Sequence, residues 1–118
     1  MHNFEKLKIW QKAMDVAVEV YKVSLLLPND ERFNLIHQIK KCAVSIPSNI
    51  AEGYGRNTDK SFSHFLDISR GSLFEIETQL HIANELGFIT NKDLYDQILS
   101  QIEEESKMIN AFSKTLKN

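Results

Sequence analysis

Cys42 is the only cysteine in the chain, so an intramolecular disulfide is excluded and a reducing compartment is the simpler setting. Proline and glycine are scarce as well. Two prolines and four glycines in 118 residues disfavour a turn-rich sandwich and suit long helices. No stretch alternates apolar and polar residues cleanly over six positions, so strands are not signalled. The longest run of large apolar residues, Leu25-Leu26-Leu27, is far short of the roughly 20 that a membrane span needs. The opening Met1-His2-Asn3-Phe4-Glu5-Lys6 lacks the apolar run of a signal peptide, and a cytoplasmic location is the expectation. A positive excess is also missing. The formal net charge of -2 argues against avid, non-specific nucleic-acid binding, which rests on neutralising phosphates.

What the chain does have is helical periodicity, at a length that fits one domain. Leu7, Trp10, Met14, Ala17, Val18, Tyr21 and Leu25 recur at three- and four-residue steps and predict the buried stripe of a first helix, ended by Pro28. A second helix is predicted from Asn29 or Asp30 as N-cap, with Leu35, Ile39, Ala43, Ile46 and Ile50 on its apolar face. Pro47 lies inside that run and removes a backbone donor. The helix either ends near Ser45 or continues with a kink, and the persistence of the face through Ile46, Ile50 and Tyr54 favours the kink. Gly53 and Gly55 are read as its end.

The third helix takes Thr58 as N-cap, carries Phe62, Phe65, Leu66, Leu73, Ile76, Leu80 and Ala83, and stops at Gly87. The fourth opens at Thr90 with Asp93 three residues on, in the manner of a capping box. Its seam, Leu94, Ile98, Ile102, Glu105, Ile109, Phe112 and Leu116, steps alternately by four and three, with Glu105 its acidic interruption. The expected fold is all-α: an antiparallel up-down-up-down four-helix bundle with helices over about 4–26, 30–54, 59–86 and 91–116, joined by short turns.

Enzymatic constellations are absent from the pattern. A di-iron bundle needs Glu-x-x-His on two helices, and none of His2, His37, His64 or His81 has an acid three residues before it. Glu77 and His81 share a face, which is more often a surface contact than a metal site. There is no nucleophile elbow, phosphate-binding glycine loop or zinc spacing. No catalytic residue, metal ligand or cofactor site is assigned. Cys42 follows two lysines, which favours a thiolate, but a lone helical cysteine is more often a small packed residue.

The segment 38–56 stands out. Ala43, Ser45, Ser48, Ala51 and Gly53 are small and allow close backbone approach, while Ser45, Asn49, Glu52 and Arg56 fall on one face. With Arg70, Glu75 and Glu77 of helix 3, Ser45, Asn49 and Glu52 are candidates for a polar network. A structural network within or between subunits is favoured over a recognition site. Lys40, Lys41, Arg56 and Lys60 are candidates for phosphate contact, set against the plainer reading of a solvated face.

The blocks Phe4-Glu5-Lys6-Leu7-Lys8-Ile9-Trp10-Gln11-Lys12-Ala13, Val20-Tyr21, Leu27-Pro28, Ser45-Ile46-Pro47-Ser48-Asn49-Ile50-Ala51-Glu52-Gly53-Tyr54-Gly55-Arg56 and Phe65-Leu66-Asp67-Ile68-Ser69-Arg70-Gly71-Ser72-Leu73-Phe74-Glu75-Ile76-Glu77-Thr78 carry a family resemblance by their order and spacing. The chain resembles the small four-helix-bundle proteins encoded in intervening sequences of bacterial 23S ribosomal RNA genes. The resemblance implies a four-helix bundle and a homo-oligomer, the ring-shaped homopentamer known in the family being the favoured number. A related group, the accessory proteins of diversity-generating retroelements, works with a reverse transcriptase and nucleic acid, so a nucleic-acid partner is implied. Catalysis is not implied. The family often has arginine where this chain has Lys40 and Lys41, which keep the charge but lose bidentate phosphate recognition. The expected function is a non-enzymatic assembly or binding protein with a nucleic-acid role; the alternative is a protein-interaction adaptor.

Overall fold

The computed structural model describes residues 3–117. Four helices make up the fold: α1 (Lys8–Ser24), α2 (Leu35–Tyr54), α3 (Asp59–Glu85) and α4 (Lys92–Ser113). Among the described residues there is no strand. Each helix packs on the next and α1 also packs on α4, which closes a four-helix arrangement measuring 44 × 25 × 24 Å. Contacts across the α2–α3 seam pair Cys42 with Glu75, Ser45 with Ser72 and Ile46 with Ser69, so these two helices run in opposite directions. The pairs Ser63 with Ser113 and His81 with Tyr95 give the same relation for α3 and α4. One core is formed, from Val16 and Val20 of α1, Ile39, Ile46 and Ile50 of α2, Leu66, Leu73, Ile76 and Leu80 of α3, and Ile98, Ile102 and Ile109 of α4. Each such aliphatic side chain contributes about 1.5–3 kcal/mol on burial.

The starts of the helices depart from expectation in three places. A 3-10 turn, Asn3–Lys6, precedes α1, which starts only at Lys8. Neither Asn29 nor Asp30 caps α2. They sit in a 3-10 turn, Asn29–Glu31, and α2 begins after Asn34. The apolar repeat explains the shift. Leu35 and Ile36 are the first residues on this side able to pack on the core, whereas Asp30 and Arg32 have nothing to bury. At α4 the cap is Asn91, not Thr90: its side chain accepts from the Leu94 backbone N–H at 3.0 Å, and Asn caps at least as well as Thr.

Both ends of α3 follow the sequence, whereas α1 stops at Ser24 and α4 at Ser113, each two or three residues early. Thr58 Oγ1 accepts from the Ser61 N–H at 3.1 Å at the start of α3. At its end Gly87 takes φ +77°, the Phe88 N–H reaches the Ala83 carbonyl and the Gly87 N–H reaches that of Asn84. That is the doubly bonded glycine termination of a helix.

α2 runs without a break through Pro47, which excludes the alternative of an end near Ser45. A bend at Pro47 stays an expectation. Gly53 does not end the helix. It lies inside α2, and a Cβ there would meet Phe65 Cβ at 2.8 Å and Phe62 Cδ1 at 2.9 Å. Its missing side chain is what lets α2 and α3 close.

The largest correction concerns α1. Its core face is Ile9, Ala13, Val16, Val20 and Val23. From the expected stripe Ala17 is buried and Leu7 and Trp10 pack partly buried against the core, while Met14, Val18, Tyr21 and Leu25 are exposed. α1 has two apolar stripes, and the one favoured by its bulky residues faces outward.

Candidate functional site

The polar face of α2 meets α3 through serines. Ser72 Oγ donates to Ser45 Oγ at 2.8 Å, and Asn49 Nδ2 donates to both Ser45 Oγ, at 2.9 Å, and the Ser45 carbonyl, at 2.8 Å. One turn away, the fully buried Ser69 donates to the Ile46 carbonyl at 2.9 Å. These bonds flank Pro47, whose ring leaves the Ala43 carbonyl without its helical donor. The structure thus brings Ser45 and Asn49 together, with Ser69 and Ser72 as partners that sequence reasoning missed. A signal for Ser69 was present: the seven-residue gap between Leu66 and Leu73 in the α3 stripe is where it falls.

The other candidates do not join this network. Glu52 pairs with Arg56 at 2.7 Å on the exposed end of α2. Arg70 is half-buried, with its guanidinium 5.9 Å from the Phe74 ring and its Nε unpartnered. Glu75 accepts from the Cys42 thiol at 3.4 Å. Glu77 makes no hydrogen bond or ion pair among the described residues, and His81 bonds Tyr95 across 2.8 Å instead. Burial, reinforced by the Glu75 carboxylate and opposed by the Gln79 amide, pushes the Cys42 thiol above its ordinary range. Cys42 is a packed residue, not an activated nucleophile.

The four basic candidates are not gathered into one patch. Lys40 stacks over Tyr21 at 5.4 Å, and Lys41 is exposed beside Cys42. Arg56 lies over Phe65 at 4.7 Å and, with Lys60, His64 and Phe65, borders a hollow at the start of α3. Sixteen residues separate Lys40 from Arg56, roughly 24 Å along a helix.

Glu105 is fully buried on α4, and neither carboxylate oxygen finds a hydrogen-bond partner among the described residues. Burial pushes its pKa up to about 9, with the Lys12 ammonium opposing and the Glu104 carboxylate adding. Glu105 therefore sits in the core as a neutral acid at pH 7. Its companion Glu104 holds Lys12 at 3.4 Å. Among the described residues no cluster of three His, Cys, Asp or Glu side chains is placed to hold a metal, and no helix is long and apolar enough to cross a membrane.

The outward stripe of α1 has a counterpart on α2. Met14, Val18, Tyr21 and Leu25 form one wall of an open groove of about 520 Å³, Val44, Pro47 and Ser48 form the other, and Lys22 stands at its edge. Val18 is 47% and Leu25 71% exposed, too much apolar surface in one strip to be scattered surface residues.

Comparison with known proteins supplies the remaining context. No curated protein matches the chain. Among solved structures, a protein of unknown function from the S23 ribosomal protein family of Bacteroides thetaiotaomicron is similar in fold, with a TM-score of 0.81 at 24% identity, over 90% of this chain and 98% of that one. The sequence pattern of the 23S rRNA-intervening sequence proteins matches residues 5–111, nearly the whole bundle, and the chain belongs to that family.

Proposed function

We propose that this protein is a non-enzymatic homo-oligomer that serves in assembly or binding, with five copies as the number the family resemblance favours and nucleic acid as its partner class. The observation that carries the reading is the groove between α1 and α2: a strip of large apolar side chains that the bundle core does not use. An apolar strip of this kind is stabilised when another surface covers it. The nucleic-acid half is supported by Lys40 and Lys41 in the second turn of α2 and by Arg56 and Lys60 around the turn from α2 to α3, in a chain of net charge -2.

A second reading, an adaptor that binds another protein without nucleic acid, draws on the same groove and the same net charge. Purification from the native host separates the two. The mass of the complex and its ultraviolet absorbance ratio are measured in one preparation. A homo-oligomer carrying nucleic acid is expected, a hetero-complex free of nucleic acid indicates the adaptor, and a nucleic-acid-free monomer overturns both halves of the proposal.

A further inference from the structure

Resting on the homo-oligomer reading, we infer that the α1–α2 groove receives the outward face of α3 from a second copy, so that copies join head to tail. The first support is that α3 is apolar on two sides. At 3.6 residues per turn, Ile68, Phe74, Ile82 and Leu86 fall on one side of the helix, and the core residues Leu66, Leu73, Ile76 and Leu80 fall on the other. Phe74 is 49% exposed, and beside it Gly71 leaves a surface hollow that Phe74, Glu75 and Thr78 border.

The second support is position. α1 and α3 each pack on α2 and α4 and not on one another, so the groove and the α3 stripe lie on different sides of the bundle. A contact between two different surfaces leaves each copy with one free donor face and one free acceptor face. Such contacts propagate and close into rings when the rotation allows.

Charge complementarity selects a second copy as the occupant. The groove is edged by Lys22, which also pairs with Glu19 at 3.7 Å, and the Lys40 ammonium lies over its Tyr21, which leaves the groove edge with one positive charge in excess. The α3 stripe is flanked by the exposed carboxylates Asp67, Glu75 and Glu85 against one cation, the half-buried Arg70 beside Phe74, so its edge is negative on balance. A basic-edged apolar groove and an acidic-edged apolar ridge attract, whereas groove against groove or ridge against ridge would set like charges together.

The test uses two full-length variants at exposed positions, Val18→Glu in the groove and Ile82→Glu on α3, with circular dichroism and melting to verify folding. Leu25→Glu and Phe74→Glu replace either variant that fails to fold. Each variant alone is expected to fall from the oligomer mass to the 13.6 kDa protomer. Mixed in equal amounts, they are expected to form a pair of twice that mass, because one retains a working ridge and the other a working groove. Retention of the wild-type mass by either variant, or a mixture that stays monomeric, overturns the head-to-tail contact while leaving the homo-oligomer reading standing. A wild-type protein that is itself monomeric overturns both.

Discussion

Ser72 on α3 donates its hydroxyl hydrogen to Ser45 on α2 at 2.8 Å, and Asn49 donates to that same Ser45 oxygen from one turn along. Together with Ser69 on the Ile46 carbonyl, this relationship pins α2 to α3 just before Pro47, while the Asn49 bonds to Ser45 span the proline within α2. A helix weakened at its proline is held by side-chain donors from its neighbour. Ser69→Ala and Asn49→Ala should each lower unfolding free energy by about 1 kcal/mol, the usual net worth of such a bond. Urea melts of the two variants and of Ser100→Ala, an exposed control on α4, check this. Melting of both at the wild-type midpoint would show that the serine network carries no stability.

Two glycines on neighbouring helices should respond oppositely to alanine. At Gly53 the new methyl runs into Phe65 and Phe62, so Gly53→Ala should destabilise by about 1–3 kcal/mol despite the better helix propensity of alanine. At Gly71 nothing lies within 4 Å, and Gly71→Ala should stabilise by up to about 1 kcal/mol. Because Gly71 belongs to the outward side of α3, the comparison is made in the Ile82→Glu background, where that face is out of use.

Glu105 should make the bundle less stable as pH rises. Its folded pKa of about 9 lies above the unfolded carboxylate value, so the folded protein keeps a proton that the unfolded chain releases. The associated stability is fully present below the unfolded pKa, near 4.5, and is lost as pH climbs toward 9. The slope from this one group is about 1.4 kcal/mol per pH unit at most. Glu105→Gln, neutral at every pH, should flatten the profile and exceed the wild type in melting temperature at pH 8. A wild-type profile already flat between pH 5 and pH 8 would mean that Glu105 is ionised and solvated.

If the lysines and Arg56 contact phosphates, binding of a structured RNA should weaken steeply with salt. Each contact removed by Lys40→Ala, Lys41→Ala, Arg56→Ala or Lys60→Ala should reduce the slope of log affinity against log salt by about 1. Fluorescence anisotropy at several salt concentrations reads this directly. Binding that is undetectable at low ionic strength, or indifferent to salt, removes the nucleic-acid half of the proposal.

Helix identity was legible because all four buried stripes keep the 3–4 step, and Thr58 and Gly87 carry their end signals in their residue type. α1 was not legible in orientation. Ile9, Ala13, Val16, Val20 and Val23 and the outward Met14, Val18, Tyr21 and Leu25 have the same helical spacing, and periodicity does not say which stripe meets the core. The bulkier set drew the choice, while the smaller set fits against the two neighbouring helices, α2 and α4. Of the polar network, the Asn49–Ser45 pair was visible as an i, i+4 spacing. Ser72 was not, since its partnership depends on the register of α3 against α2. Glu105 stood out as a break in the α4 seam, but its neutral, unpartnered burial needed the packing around it.

Sedimentation velocity of the wild-type protein beside Val18→Glu, under identical conditions, bears most directly on assembly through the groove. The expected result is a wild-type complex of several 13.6 kDa copies, five by the family resemblance, and a folded monomer for the variant. A wild-type protein sedimenting as a 13.6 kDa monomer, or a variant that keeps the full complex, would contradict it.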